Sequence, residues 1–198
     1  MILLALTGIS AIILGMGITT TAVYITVAAL IVPALVKIGI EPIAAHMFAF
    51  YFGVVSSITP PVALAAFAAA AIAKTPPMAT AVEATRVGIA KYLAPLIFVY
   101  NPSLLFVGPL WMTAVSSVIA LAGLWVLSMA LEGWYRGALS TLHRVTLLIA
   151  AILLLYPPNY ELFGLNGWVI SAIGFALAAA VVFIRHSDVP GAPKEATR

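Results

Sequence analysis

Two short polar segments interrupt an otherwise apolar chain, and their residue types suit the binding of ions. Residues 15–21 read GMGITTT and residues 56–61 read SSITPP, so each combines hydroxyl groups with glycine or proline. Glycine and proline break helices, which frees backbone carbonyl and N–H groups for other partners. The candidate binding residues are Gly15, Gly17, Thr19, Thr20, Thr21, Ser56, Ser57, Thr59, Pro60 and Pro61.

The composition places these segments in a membrane. Of the 198 residues, 64% are hydrophobic and only 8% are charged, compared with about 25% in soluble domains. That is too little polar surface for a water-soluble protein of this size, so a soluble enzyme is excluded. The net charge of +3 is scattered along the chain, which excludes a nucleic-acid partner. The absence of cysteine excludes disulfides and thiolate chemistry.

Long uncharged stretches follow one another along the chain. A helix needs about 20 residues to cross the hydrocarbon core of a bilayer. Charged residues are absent from residues 1–36, 42–73, 92–131, 145–160 and 162–184. The sequence therefore predicts an all-α polytopic membrane protein embedded in a lipid bilayer. Its last four predicted transmembrane helices are 84–100, 108–131, 144–156 and 167–184.

The N-terminal part does not divide into simple crossings. Residues 1–36 would form a helix of about 54 Å, which is longer than a bilayer is thick. Gly15 and Gly17, however, divide this stretch into pieces that are each too short to cross. A re-entrant helical hairpin meets both conditions, with its tip at the glycines and its arms at 1–14 and 22–36.

A broken transmembrane helix is predicted to follow, over residues 43–73. The SSITPP segment divides it into halves at 43–57 and 62–73, because the two prolines remove backbone donors. Thr59 suits the N-cap of the second half, and Pro60 suits its first position.

Helix breaks at membrane depth predict a polar site, because unpaired backbone groups are costly in hydrocarbon. The helix N-termini at residues 19–21 and at Thr59 favour a carboxylate, and the helix C-termini offer carbonyl oxygens to a cation. Neither break contains an ionisable side chain, which a proton relay normally needs, whereas neutral oxygens can hold sodium. We therefore predict sodium as the coupling ion and no other cofactor. The predicted sodium ligands are Gly15, Gly17, Ser57 and Thr59.

The distribution of basic residues predicts the orientation of the chain. Lysine and arginine favour the cytoplasmic side of a membrane protein. Most of them fall in residues 74–86, 132–143 and the tail 185–198, or within one turn of these segments. The chain is thus expected to be a multi-pass protein of the plasma membrane with a cytoplasmic C-terminus.

At both breaks the sequence resembles the large permease subunit of tripartite ATP-independent periplasmic (TRAP) transporters, particularly the fused permeases paired with TAXI-type binding proteins. The matching stretches are Gly15-Met16-Gly17, Thr20-Thr21-Ala22-Val23-Tyr24, Ser57-Ile58-Thr59-Pro60-Pro61-Val62-Ala63 and residues 86–103 with Tyr100-Asn101-Pro102. The resemblance covers residues 1–110, although family members often have proline where Thr19 stands. The later helices resemble the C-terminal extension of the fused permeases.

The resemblance implies an elevator-type transporter of the inner membrane. A mobile domain would carry a small organic anion, usually a carboxylate, together with sodium, after delivery by a periplasmic binding protein. The hairpin and the broken helix would be the second inverted repeat of the transport domain, over residues 1–110. A transmembrane extension would follow at 111–184 and a cytoplasmic tail at 185–198.

These permeases contain two inverted repeats, and the first has no counterpart in the sequence. We therefore expect a C-terminal fragment or one part of a split permease. Its expected partners are the N-terminal permease half and a TAXI- or TRAP-type substrate-binding protein, and the chain is not expected to transport alone.

The sequence also permits three other interpretations of these features. The glycines and threonines of residues 15–21 are also typical of close packing between helices. A structural membrane subunit or inactive remnant, without a ligand site of its own, is the alternative function. A membrane-embedded enzyme is disfavoured, because the histidines at 46, 143 and 186 are far apart in sequence.

For His46, a hydrogen bond to a neighbouring helix is favoured over a role in proton transfer.

Overall fold

The computed structural model describes residues 2–158, 160–162 and 164–187, and these residues are mostly helical. The predicted all-α class is therefore confirmed. The chain divides into two compact units, Met1–Thr113 and Ala114–Arg198, and each is described separately below.

The first unit is built from short apolar helices. They are α1 (Ile2–Gly15), α2 (Thr20–Leu30), α3 (Val32–Lys37), α4 (Pro42–Val55), α5 (Leu64–Ala73), α6 (Pro77–Val87) and α7 (Ile89–Tyr100). Short 3₁₀ turns occupy Ser56–Ile58 and Pro102–Leu105. Both predicted helix breaks are present, because α1 ends at the first glycine of GMGITTT and α4 ends where SSITPP begins.

Helices α1 and α4 run side by side in the same direction. A β-carbon placed on Gly8 would lie 3.1 Å from the ring of Phe52, and one placed on Gly15 would lie 2.6 Å from the β-carbon of Ser56. Later residues of α1 therefore contact later residues of α4, so the two helices are parallel. Small residues on α1 permit this close approach.

Helix α2 runs along α4 in the opposite direction. Val23 touches Gly53, near the end of α4, whereas the next residue, Tyr24, reaches back to His46. Since α1 and α2 contact α4 in opposite directions, they form an antiparallel helical pair joined by residues 16–19. That this pair enters and leaves the same face of a membrane stays a prediction.

The second arm of the pair is not one continuous helix, contrary to the predicted arm at 22–36. Helix α2 ends at Leu30 and α3 begins at Val32, with Pro33 in its first turn. Proline lacks the N–H that would continue the helical hydrogen bonds, and its ring clashes with the carbonyl four residues earlier. The interruption at Ile31 follows from that chemistry.

The predicted helix 84–100 is also wrong in its bounds, because Gly88 separates α6 from α7. A β-carbon on Gly88 would lie 2.6 Å from Cδ1 of Ile58 and 2.8 Å from the carbonyl oxygen of Ala84. Glycine is therefore needed for this close approach. Gly88 is the C-cap of α6, and its lack of a side chain also permits the contact with the 3₁₀ turn.

The apolar core of the first unit joins α1, α2, α3 and α4. Side chains from all four helices form one buried cluster: Leu4, Ala11, Val23, Val27, Val32, Leu35, Ala45, Phe48 and Ala49. The partly buried Leu96, Val99 and Tyr100 of α7 pack against it. Packing within this cluster keeps the ends of α1 and α4 side by side.

The second unit contains most of α8 (Leu110–Glu132), followed by α9 (Thr141–Leu155) and α10 (Gly167–Ser187). A two-stranded hairpin, β1 (Glu161–Leu162) and β2 (Leu165–Asn166), precedes α10. A β-carbon on Gly174 would lie 2.9 Å from the carbonyl oxygen of Ala150, so α9 and α10 approach closely. The predicted helices at 108–131, 144–156 and 167–184 are all present. Of the predicted tail, residues 188–198 lie outside the described part of the chain.

Among the described residues, two helices are long and apolar enough to cross a membrane, Leu110–Glu132 and Gly167–Arg185. Helix α9, with 15 residues, spans about 22 Å and is shorter than the bilayer core. The predicted number of crossings therefore stays a prediction.

Candidate functional site

The structure brings the two predicted breaks together at Gly15 and Ser56. A β-carbon on Gly15 would overlap Oγ of Ser56 and would lie 3.1 Å from the carbonyl oxygen of Gly53. Both Gly15 and Ser56 are buried. Glycine is thus the residue that lets the end of α1 touch the end of α4.

This contact places two helix C-termini side by side. Since α1 and α4 run in the same direction, their terminal carbonyls, which no further helical turn can pair, lie at the same level. Helix C-termini carry partial negative charge. The pair therefore forms a region that favours a cation without any acidic side chain.

The hydroxyl groups of the second break bond to these terminal carbonyls. Ser56 Oγ donates to Gly53 O at 2.6 Å, Ser57 Oγ to Val54 O at 2.8 Å, and Thr59 Oγ1 to Val55 O at 2.7 Å. A hydroxyl that donates its only hydrogen keeps two oxygen lone pairs for other partners. The three hydroxyls are therefore arranged to accept, which suits a cation or a donor rather than an anion.

The predicted N-cap role of Thr59 is wrong. Helix α5 begins at Leu64, and its N-cap is Ala63, whose backbone is left-handed with φ 35° and ψ 49°. Thr59 instead caps the end of α4, where unpaired carbonyls compete for its hydroxyl. The Pro60–Pro61 peptide bond is cis, and both prolines lie in the turn before α5.

The first break has the predicted capping residue. Thr19 is the N-cap of α2, and its side chain accepts a hydrogen bond from Ala22 N at 3.4 Å. Thr20 and Thr21 begin the helix, are exposed, and make no side-chain hydrogen bond in the described part of the chain. A β-carbon on Gly17 would meet nothing within 4 Å. The N-terminus of α2 is thus open to a ligand.

Two residues that the sequence analysis did not single out form hydrogen bonds with the second break. Tyr92 Oη lies 2.6 Å from Thr59 Oγ1, and Thr85 Oγ1 donates to the carbonyl oxygen of Ile58 at 3.0 Å. Thr85 lies on α6 and Tyr92 on α7, so two different helices bring these hydroxyls to the second break.

The interpretation of His46 is confirmed. Its Nδ1 lies 3.0 Å from the hydroxyl of Tyr24, so it forms a hydrogen bond between α4 and α2. The Tyr24 ring also stacks edge-on against Phe50 at 5.9 Å. His46 therefore joins the two helices and belongs to the packing of the pair.

A nearby groove is too apolar for an organic anion. It has a volume of about 560 Å³ and is lined from α1, α4 and α7. Its lining residues are Ile2, Leu4, Ala5, Gly8, Ile9, Ile12, Phe48, Phe52, Leu96 and Tyr100. A carboxylate needs polar partners, so this groove does not form the predicted site.

Apolar helices that break beside one another, with their terminal carbonyls grouped together, are typical of membrane transport proteins. The chain belongs to the family described as the tripartite ATP-independent periplasmic transporter, DctM component, whose model matches residues 1–112. No curated protein and no solved structure matches the chain.

Family membership establishes the general role of the protein. It is the permease component of a TRAP transporter and a protein of the inner membrane. The family consists of transporters, and it implies a periplasmic binding protein and a small membrane component as partners. The two breaks lie within the matched residues.

Proposed function

We propose that the two breaks form half of a binding site for sodium and a small organic anion. The observation that carries this proposal is the contact between Gly15 and Ser56, which joins the breaks into one polar region. Each break on its own would be consistent with close helix packing. Their contact makes a shared site the better explanation.

Sodium binds at the paired ends of α1 and α4 in this proposal. The terminal carbonyls and the hydroxyls of Ser57 and Thr59 supply neutral oxygen ligands. Such oxygens replace the hydration shell of a small cation. Neither break contains Asp, Glu, Lys, Arg or His, so a proton has no carrier there, which favours sodium over proton coupling.

The organic anion binds at the N-terminus of α2. The first N–H groups of a helix lack partners and carry partial positive charge, so they attract a carboxylate. Thr20 and Thr21 add two exposed hydroxyls that can donate hydrogen bonds. Because Thr59 caps a C-terminus rather than an N-terminus, the second break contributes to the cation and not to the anion.

The proposal includes two partners more specific than the family implies, a TAXI-type binding protein and an N-terminal permease half that completes the site. It also includes a cytoplasmic C-terminus. Thr20, Thr21 and Gly17 are exposed, which supports completion of the site by other helices. The alternative is a structural subunit, in which the same exposed surface only packs against its neighbours.

The test is uptake of labelled carboxylates into proteoliposomes under a sodium gradient. The chain is reconstituted alone, and with the other permease half, the small component and the binding protein. Thr59→Val removes a proposed sodium ligand while keeping the side-chain shape. Thr26→Val is the matched control, because Thr26 Oγ1 also donates to the carbonyl four residues earlier, at 2.9 Å, but lies outside the site.

The proposal expects sodium-driven uptake by the full set only, lost with Thr59→Val and kept with Thr26→Val. Uptake by the chain alone would contradict the need for a second half. Equal loss with both valine variants would assign Thr59 a structural role. Absence of uptake in every combination would favour the structural-subunit alternative.

A further inference from the structure

The second unit has an arginine-rich end that the transport site does not use. The loop between α8 and α9 closes on itself, because Leu139 N donates to Gly133 O at 2.8 Å and Trp134 pairs with Ala138. Arg144, from α9, and Arg185, from α10, both contact this loop. The loop thus gathers basic side chains from two helices.

Both arginines bond to backbone carbonyls. Arg144 donates from Nε to Ala130 O at 3.1 Å and from Nη2 to Leu131 O at 2.9 Å. Arg185 donates from Nη2 to Ala138 O at 2.7 Å. These bonds hold the guanidinium groups in place at the end of α8. Carbonyl oxygens carry only partial charge, so they do not neutralise a guanidinium.

Glu132, at the end of α8, is outnumbered at this end by Arg136, Arg144 and Arg185, so positive charge is in excess. In the described part of the chain, neither Arg144 nor Arg185 pairs with a carboxylate, whereas Arg86 pairs with Glu83 at 3.2 Å. Arg144 uses two of its five N–H donors and Arg185 uses one. Within the same described residues, Nε of Arg185 is buried and has no acceptor. The geometry leaves donors and charge for an external anion.

Aromatic residues at this end are typical of the depth of lipid headgroups. Trp125 and Tyr135 stack edge-on with ring centres 6.3 Å apart, and Trp134 is 64% exposed. Tryptophan and tyrosine favour the boundary between headgroups and hydrocarbon. Leu142, in the first turn of α9, is 74% exposed, and an acyl chain would cover it.

We infer that Arg144 and Arg185 bind the phosphate headgroup of an anionic phospholipid, whose acyl chains cover the exposed apolar side chains around the loop. Arginine donors match phosphate oxygens in geometry and charge. Basic residues at the ends of transmembrane helices attract anionic lipids in this way. A free phosphate ion would satisfy the arginines but would leave Leu142 and Trp134 uncovered.

The inference is tested by native mass spectrometry of the delipidated full chain, titrated with phosphatidylglycerol or phosphatidylcholine. We expect preferential binding of phosphatidylglycerol. Arg185→Gln should lower that affinity by about fivefold, the usual contribution of one basic residue near an anionic membrane surface. Arg185→Lys keeps the charge and should retain most of the binding. Arg86→Gln is the control, since it removes the same charge from an arginine that has a carboxylate partner.

Two additional measurements keep the test decisive. Arg144→Gln should weaken binding to a similar extent, and circular dichroism reports whether each variant remains folded. If Arg185→Gln does not fold, the lipid affinity of Arg144→Gln provides the test instead. Excess inorganic phosphate should displace little lipid, because it makes no apolar contacts.

Three results would overturn the inference. They are equal affinity for phosphatidylcholine, an equal loss with Arg86→Gln, and complete displacement of the lipid by inorganic phosphate. The last result would assign the arginines to a soluble anion. None of these measurements depends on transport, so they are independent of the proposed sodium and carboxylate site.

Discussion

Gly15 and Ser56 are 41 residues apart in sequence and in direct contact, so that Oγ of Ser56 fills the space a side chain on Gly15 would occupy. This contact joins two helix ends that the sequence presents as separate breaks. Ser56 in turn donates its hydrogen to Gly53 O. The contact therefore has both a packing role and a polar role.

Gly15→Ala should destabilise the first unit. The new methyl group would overlap Ser56 and would lie 3.1 Å from the backbone oxygen of Gly53, which cannot move easily. Overpacking of this kind costs about 1–3 kcal/mol, and denaturant unfolding in detergent measures it. Gly17→Ala is the stability control, because a β-carbon there meets nothing within 4 Å.

A second substitution should restore part of the lost stability. Ser56→Gly removes the overlapping atoms and should restore part of the stability lost in Gly15→Ala. Equal destabilisation by Gly15→Ala and Gly17→Ala, or no rescue, would show that the two breaks are not in contact.

Tyr92→Phe should remove a hydrogen bond that positions the Thr59 hydroxyl. The variant removes the phenol that lies 2.6 Å from Thr59 Oγ1 and leaves the bond from Thr59 to Val55 O intact. A partly buried hydrogen bond contributes about 1 kcal/mol. We expect a loss of that size in unfolding free energy and a higher sodium concentration for half-maximal uptake.

Tyr51→Phe is the matched control for Tyr92→Phe. The Tyr51 ring packs edge-on against Phe98 at 5.6 Å, and its hydroxyl has no hydrogen-bond partner among the described residues. A double-mutant cycle of Tyr92→Phe with Thr59→Val should show strong coupling. Additive effects would mean that the two hydroxyls act independently.

His46→Gln should leave the coupling ion unchanged. Glutamine can still hydrogen-bond to the hydroxyl of Tyr24, so the link between α2 and α4 is kept while the titratable group is lost. We expect sodium-driven uptake to continue and a protonophore to have little effect on it. Uptake that follows the proton gradient in the native protein and fails in His46→Gln would contradict sodium coupling.

Two serine substitutions in the second unit should have opposite effects on stability. Ser171 is 4% exposed and its Oγ has no partner among the described residues, so Ser171→Ala removes an unsatisfied buried hydroxyl. Ser140 is the N-cap of α9 and accepts from His143 N, so Ser140→Ala removes a helix cap. We expect a gain of up to about 1 kcal/mol for Ser171→Ala and a loss of about 1 kcal/mol for Ser140→Ala.

Denaturant unfolding of both variants measures this difference. Ser171 also borders a cavity of about 330 Å³ between α8, α9 and α10. Destabilisation by Ser171→Ala would indicate that its hydroxyl bonds to a molecule in that cavity.

Features that depend on local chemistry were predictable from the sequence. Glycine at 15 and the paired prolines at 60 and 61 disfavour a continuous helix through local backbone chemistry, and both breaks were located correctly. A helix N-terminus was predicted at residues 19–21, and Thr19 is the N-cap there. The family was recognised from these same residues, and the matched model covers them.

Features that depend on partners distant in sequence were not predictable. Thr59 precedes a proline, which favours an N-cap, but the carbonyl oxygen of Val55 at the end of α4 accepts its hydrogen. Ile58 packs against Gly88, and Tyr92 is a hydrogen-bond partner because the fold brings Thr59 to it. These contacts between residues far apart in sequence have no local signature.

The sequence alone determined that this is a helical membrane protein with two helix breaks, because apolar stretches and helix-breaking residues act over a few residues each. The tertiary structure decided that the breaks meet and that two helix C-termini lie together. Those facts depend on the relative directions of α1, α2 and α4, which are set by packing across tens of residues. A helix break becomes a binding site only when another element brings a second break beside it, and that depends on three-dimensional packing.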